Sequence, residues 1–280
     1  MISLLEVLQK STQFLQEREV PHAKLSAEWI LAEALQLKRL DLYLQYERPL
    51  REDELEIIRD GIRRRSKREP LQYILGFSEF YGVNLKTDLR TLIPRPETEY
   101  LVEMLHTSIL NRNPKRILDL GTGCGAIVIA LLNTFPNAEA VGVDFSENAL
   151  SLAAENADTV GVSSRLQLLQ SDWLQSVQGQ FDLIVSNPPY LTDQEMETLG
   201  PEVIDFEPWD ALHGGSDGLD FLRLLLENSY EFLVDGGLIA LETGINHHDP
   251  LKDKAQQVGY TSIQSLQDLD KRERFFLALR

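Results

Sequence analysis

Residues 116–132 constrain the fold more than any other stretch of the chain. They read Arg-Ile-Leu-Asp-Leu, then Gly-Thr-Gly-Cys-Gly, then Ala-Ile-Val-Ile-Ala-Leu-Leu. A short apolar run that empties into three alternate glycines and resumes as a second apolar run predicts strand, loop and helix. Glycines let a ligand approach the main chain, and the helix start offers N–H groups without intrahelical partners. A second strand, expected at 139–143, ends on Asp144. That carboxylate lies about 20 residues past the loop, the usual spacing for gripping two ribose hydroxyls. Further strands are expected at 166–170, 181–185, 238–242, 262–266 and 274–279, with helical patterns between them. Seven strands with helical patterns among them argue an α/β fold with a doubly wound parallel sheet.

The loop chemistry narrows the ligand. The spacing G-x-G-x-G is not the G-x-G-x-x-G of a dinucleotide site, and no Lys-Ser or Lys-Thr follows the glycines, so the phosphate loop of nucleotide hydrolases is absent. Asp119, just before the loop, would repel a pyrophosphate and suits a cationic ligand. S-adenosylmethionine carries both a sulfonium and an ammonium group, which favours a methyl donor over NAD or ATP. Gly121, Thr122, Gly123, Cys124, Gly125 and Asp144 are the expected cofactor residues. Asp172 and Trp173, after the strand at 166–170, should lie near an adenine, and Phe145 should cover its other face. The plainer reading of Trp173 is a core anchor.

A second motif falls at the end of the strand at 181–185, where Ser186 is followed by Asn187, Pro188, Pro189 and Tyr190. The Asn187 side-chain oxygen can accept from an incoming amino group. The prolines fix φ and lack N–H groups, so the turn is stiff and its carbonyls are bare. Tyr190 offers a flat face. These parts describe a clamp for a planar, conjugated –NH2 group. Alone, they would also suit an ordinary strand-end turn.

Taken together, Asp-Leu-Gly-Thr-Gly-Cys-Gly, Asp144, Ser171-Asp172-Trp173 and Asn187-Pro-Pro-Tyr190 resemble a class I methyltransferase with an amino-group acceptor. The upstream Ile93-Pro-Arg-Pro-Glu-Thr-Glu99 and the helical region before it are similar to the release-factor glutamine methyltransferases, the PrmC/HemK family. Cys124 departs from that family's more frequent Ser or Thr. The resemblance implies a Rossmann-like methyltransferase domain whose last strand runs antiparallel. It also implies a catalytic Asn187 that binds both cofactor and substrate, with Pro188, Pro189 and Tyr190 on the substrate. The acceptor it implies is the glutamine of a Gly-Gly-Gln motif in bacterial class 1 release factors, with S-adenosylmethionine consumed and S-adenosylhomocysteine formed. An adenine-N6 DNA or RNA methyltransferase is the alternative, because the clamp fits an exocyclic adenine amine equally well.

Helical spacing in the first 70 residues, broken near Pro21, Pro49 and Pro70, predicts a helical bundle over 1–71, and the resemblance implies that this bundle holds the protein substrate. A β-hairpin linker is expected over 72–92 and the catalytic domain over 93–280, opening with a helix from Pro96 through Leu110. Arg95 and Glu97 are weaker candidates for the cofactor pocket, and Glu242 has no assigned role. Of 27 basic and 44 acidic residues, 1–86 hold 14 of each, leaving 13 and 30 for the rest. So acidic a catalytic domain should repel a phosphate backbone, and no nucleic-acid substrate is expected. The basic run Arg59, Arg63, Arg64, Arg65, Lys67 and Arg68 reads as a solvated helix end or as a surface for an acidic partner. One cysteine, no export signal and no membrane-length apolar run lead to the expectation of a cytoplasmic protein; Cys-x-x-Cys and His-x-x-x-His pairs are missing, so no metal is expected, and a monomer is expected as well. His247-His248 reads as a surface turn before Pro250.

Overall fold

The computed structural model describes residues 2–109 and 113–280. Its elements begin with four helices, α1 (Leu4–Gln16), α2 (Ala23–Ala34), α3 (Glu52–Ser66) and α4 (Leu71–Leu75). A hairpin follows, β1 (Phe77–Phe80) and β2 (Val83–Lys86), and then α5 (Pro96–Ile109). The alternating region runs β3 (Arg116–Leu120), α6 (Ala126–Thr134), β4 (Glu139–Asp144), α7 (Glu147–Val160), β5 (Leu166–Gln170) and β6 (Phe181–Ser186). After β6 come two short turns of helix, α8 (Asp193–Met196) and α9 (Pro201–Ile204). The chain closes with α10 (Asp220–Ser229), β7 (Leu233–Glu242), α11 (His248–Val258), β8 (Thr261–Gln267) and β9 (Glu273–Leu279). The end of the first catalytic helix expected at Leu110 lies outside the described residues.

The chain divides into two compact units, one of residues 2–77 with 200–206, the other of 78–199 with 207–280. The first is built on α1–α3, which bury an apolar stripe that includes Leu4, Leu8, Leu15, Leu31, Leu55 and Ile58. Ser3 caps α1 by accepting from the Glu6 N–H, and Glu54 accepts from the Arg51 N–H at the start of α3. The linker expected over 72–92 is shorter than its sequence suggests. Residues 71–75 turn as helix because Leu71 and Ile74 pack on the bundle and Tyr73 is buried. The basic run is largely consumed by ion pairs within this unit: Arg59 with Glu52, Arg63 with Asp60, Arg64 with Glu69, and Arg65 and Arg68 with Glu202. The last two pairs hold residues 200–206, which a reading of local periodicity had no means of assigning to the bundle.

In the second unit the sheet order is β5-β4-β3-β6-β7-β9-β8. The first five strands are parallel, and β9 is antiparallel to both β7 and β8. Side chains alternate between two buried faces, as a strand covered on both sides requires. Ile117, Leu183, Val185 and Ala240 pack toward α5 and α6; Leu118, Ile184, Ile239 and Leu241 pack toward α10 and α11. From β3 the chain winds outward through β4 and β5, then returns to place β6 on the other side of β3. This reversal opens a crevice beyond the carboxyl ends of β3 and β6, where open α/β sheets bind ligands.

Candidate active site

Register brings the two motifs together. Leu120 lies opposite Ser186 across β3 and β6, so Gly121 and Asn187 leave the sheet side by side. Ser186 reinforces this by donating its hydroxyl to the Leu120 carbonyl, at 2.6 Å. The glycine loop is fixed from below: the Thr122 N–H donates to the Val143 carbonyl (2.8 Å), and its hydroxyl donates to Asp119 Oδ2 (2.7 Å). Gly125 caps α6 at φ 84°, where a Cβ would stand 2.9 Å from Ile129. Only glycine makes that turn without displacing the helix. The Asn156 side chain, which no local sequence pattern singled out, holds the loop from outside by donating to the Cys124 carbonyl (2.9 Å).

A cavity of about 600 Å³ opens above this loop. Gly121, Thr122, Gly123, Cys124, Asp144, Phe145, Asp172, Trp173, Asn187 and Pro189 line it, together with Thr98 and Arg95. Gly125, Pro188 and Tyr190 do not line it, and neither does Asp119. Asp119 is wholly buried under the loop, so it holds Thr122 rather than facing a ligand. Burial pushes its carboxyl up to about 7. The Asp144 oxygens accept from the Gly123 and Ser146 N–H groups, each at 2.9 Å. Burial raises its carboxyl while those main-chain donors pull it back. Each oxygen keeps a second lone pair for a ligand hydroxyl. Trp173 combines its two expected roles, lining the cavity while packing 5.2 Å from the Phe221 ring. Phe145 is largely exposed at the rim.

The acceptor side is held by side chains. Asn187 Nδ2 donates to Thr98 Oγ1 (3.0 Å), and Thr98 Oγ1 donates to Glu242 Oε2 (2.6 Å). Tyr190 Oη donates to Glu242 Oε1 (3.0 Å) and accepts from Arg274 (2.7 Å), whose guanidinium lies 5.0 Å from the Tyr190 ring centroid. Tyr190 therefore anchors the loop with its ring against a cation, and the free stacking face expected of it is not on the cavity wall. Burial pushes its hydroxyl far above the ordinary tyrosine range. Glu242, without a role from sequence, is the fully buried acceptor of the whole group; burial raises its carboxyl, with Thr98, Arg274 and Tyr190 opposing. Arg95 lines the cavity and pairs with the buried Glu207 (2.7 Å), whereas Glu97 pairs outward with Arg272. The two histidines expected at a surface turn are buried instead. His247 Nδ1 accepts from the Gly244 N–H, His248 bonds Thr243 Oγ1, and burial lowers both. Compaction of the turn after β7 around the start of α11 draws them inward.

The residues fit an adenosyl cofactor. A Cβ placed on Gly123 would meet no atom within 4 Å, so the loop leaves open space where a ligand must approach its backbone. Asp144 presents a carboxylate beside it, and Asp172 and Trp173, just after the next strand, stand on the cavity wall. Sheet order, glycine loop and strand-end Asn-Pro-Pro-Tyr define a class I methyltransferase. Residues 6–76 match the PrmC N-terminal domain, and residues 96–205 match the methyltransferase small domain. The release factor glutamine methyltransferase of Geobacter sulfurreducens is 41% identical over 266 residues, 94% of this chain and 92% of its own. That of Leptospira interrogans is 36% identical, covering 99% and 98%. The chain belongs to the release factor glutamine methyltransferase family. Solved structures share the fold: a methyltransferase from Pyrococcus furiosus superposes with a TM-score of 0.54 at 20% identity, covering 71% of this chain and 89% of that one. The catalytic domain of human METTL16, solved with an RNA hairpin, gives 0.58 at 15% identity, covering 71% and 75%. Among the described residues no helix is long and apolar enough to cross a membrane.

Proposed function

We propose that this protein methylates the side-chain amide nitrogen of the Gly-Gly-Gln glutamine in bacterial class 1 release factors, as a cytoplasmic monomer. S-adenosylmethionine is the donor, S-adenosylhomocysteine the product, and no metal takes part. The observation that carries this reading is the single cavity that joins the Gly121–Cys124 loop and Asp144 to the Asn187 amide. When bound, S-adenosylmethionine supplies an electrophilic methyl group. The chain's own residues do the rest. Asp144 accepts from two ribose hydroxyls, the glycine loop leaves room for the cofactor against its backbone, and Asp172, Trp173 and Phe145 surround the adenine.

A glutamine amide nitrogen is a poor nucleophile because its lone pair is delocalised into the carbonyl. The Asn187 side-chain oxygen accepts one of its N–H groups, with Pro189 on the cavity wall beside it; the Pro188 carbonyl, expected as a second acceptor, lies off that wall. Held so, the nitrogen presents its lone pair toward the cofactor. The Asn187 oxygen gains strength as an acceptor as positive charge grows on nitrogen, which favours the transition state over the ground state. Fixing the two reactants removes the entropy of encounter. An N-methylated amide cation loses its proton readily, so a strong base is not needed. Tyr190 acts by anchoring the loop rather than by stacking.

A clamp of this kind would also fit adenine, but the excess acid of the catalytic half opposes a phosphate backbone. The deciding experiment follows labelled methyl from S-adenosylmethionine into an intact release factor, the same factor with its Gly-Gly-Gln glutamine changed to alanine, DNA and RNA. Label should enter the intact factor alone. Undiminished labelling of the altered factor, or preferential labelling of adenine, would overturn the reading.

A further inference from the structure

The acceptor clamp works only if the Asn187 amide faces the right way round, because its oxygen can accept an N–H and its NH2 group cannot. The two ends of a side-chain amide are nearly equal in size, so packing alone does not choose between them. Proton positions do. Arg274 donates to Tyr190 Oη, which must therefore send its own proton to Glu242 Oε1. The other oxygen, Oε2, accepts from the Thr98 hydroxyl at 2.6 Å. An ionised carboxylate only accepts. With its single proton committed to Glu242, Thr98 Oγ1 can offer Asn187 only a lone pair, and Asn187 meets it with Nδ2 at 3.0 Å. A flipped amide would set two acceptors against each other. Among the described residues nothing donates to Asn187 Oδ1, which is left for an incoming group.

We propose that Glu242 and Thr98 are positioning residues for methyl transfer: the Glu242 carboxylate fixes the direction of the Thr98 hydroxyl, and that hydroxyl fixes the Asn187 amide with its oxygen toward the acceptor. The proposal rests on the functional reading above. It extends it to residues 98 and 242, which lie 89 and 52 positions from the Asn-Pro-Pro-Tyr residues they hold. Thr98 is buried at the first turn of α5 and Glu242 at the end of β7, so both are fixed by the frame of the domain. Glu242 does not line the cavity, and Thr98 reaches its wall while holding the Asn187 amide. Their action is to choose one of two amide orientations before the acceptor arrives.

The test uses the full-length protein, S-adenosylmethionine and an intact release factor, with cofactor affinity and thermal midpoint measured on each variant. Wild-type transfer to the release factor is the control; its absence would sink the functional reading and leave the positioning question to other acceptors. Thr98→Val keeps the side-chain shape and removes the oxygen. It should lower kcat about 10- to 100-fold, by analogy with the loss of a hydrogen-bond partner behind a metal ligand. KM for the release factor and cofactor affinity should stay within about threefold. Thr98→Ser restores the hydroxyl and should recover most of kcat. Glu242→Gln is nearly isosteric but can donate to Thr98, which reverses the direction of the relay, so it too should lower kcat at preserved cofactor affinity. In the double variant Thr98→Val/Glu242→Gln the second change should add little to the first. Unchanged kcat in folded Thr98→Val, failure of Thr98→Ser to recover it, or full additivity in the double variant would each overturn the proposal. So would a loss confined to thermal midpoint.

Discussion

The two ends of the cavity hold their carboxylates in opposite ways. At the cofactor end, both oxygens of Asp144 are fixed by main-chain N–H groups, those of Gly123 and Ser146. At the acceptor end, Glu242 is fixed by the Thr98 and Tyr190 hydroxyls, with Arg274 beyond them. Main-chain donors come with the strand–loop–helix geometry and survive most side-chain changes. Side-chain donors can be deleted one at a time, and each deletion leaves a buried charge short of a partner. The cofactor end is therefore built to bind, and the acceptor end is built to orient. If that division is real, variants at the two ends should damage different quantities.

Asn187→Ala should give the largest effect. It removes the acceptor oxygen and leaves the glycine loop and Asp144 untouched. Loss of a comparable preorganised transition-state contact costs roughly 10²–10³ in rate. Single-turnover methyl transfer should fall by that amount while calorimetric affinity for S-adenosylmethionine stays within a few fold. Equal damage to affinity and rate would show that the two ends are one site energetically and break the comparison.

Asp144→Ala should act in the complementary way. A charged acceptor to two hydroxyls is lost, at about 1.5–3 kcal/mol, or roughly tenfold or more in affinity. Turnover at saturating cofactor should suffer less than the dissociation constant. Unchanged affinity in the folded variant would remove Asp144 from the ribose role.

The same contrast explains what could be read from the sequence. The α/β alternation, the sheet's strands and the glycine loop were legible because they depend on local apolar period and on glycine where φ must be positive. The place of Asp144 at a strand end on the cavity wall was legible because one spacing carries it. The supports of Asn187 were not. Thr98 sits inside a helix start, Glu242 inside an apolar strand, and their hydrogen bonds span 89 and 144 positions, beyond any local pattern. Tyr190 was assigned a stacking face because an aromatic beside two prolines suggests one; the Arg274 guanidinium that covers its ring comes from β9. His247 and His248 show the same limit in reverse, since local polarity suggested a surface and tertiary packing buried both. The ion pairs of Glu202 with Arg65 and Arg68 placed residues 200–206 with the helical unit, and charge pairing across 137 positions has no local signature.

The smallest effect sharpens the comparison by way of a third acid. Asp119, at β3, is buried like Glu242 but receives one side-chain hydrogen bond, from Thr122, and no ion pair. With so little to offset desolvation, its carboxyl is held up to about 7, with the charge of Asp144 adding to the rise. A carboxyl whose folded value lies above its ordinary 3.8 favours the folded state while protonated. That contribution is complete below pH 3.8 and is lost as pH rises through about 7. Asp119→Asn keeps the acceptor oxygen for Thr122 and cannot ionise. Groups that do not feel Asp119 titrate alike in both proteins, so the difference in unfolding free energy reports Asp119 together with its coupling to Asp144. Between pH 6 and 8 the variant should gain about 1 kcal/mol relative to the parent, given that one pKa unit is worth about 1.4 kcal/mol. Urea unfolding of the cofactor-free proteins at those two pH values measures it. A difference that does not change with pH would mean that Asp119 keeps one protonation state from pH 6 to pH 8. If that state is the ionised one, with the variant no more stable than the parent at either pH, a buried acid with one side-chain donor would be as well satisfied as Asp144, and donor type would not be what separates the two ends of the cavity.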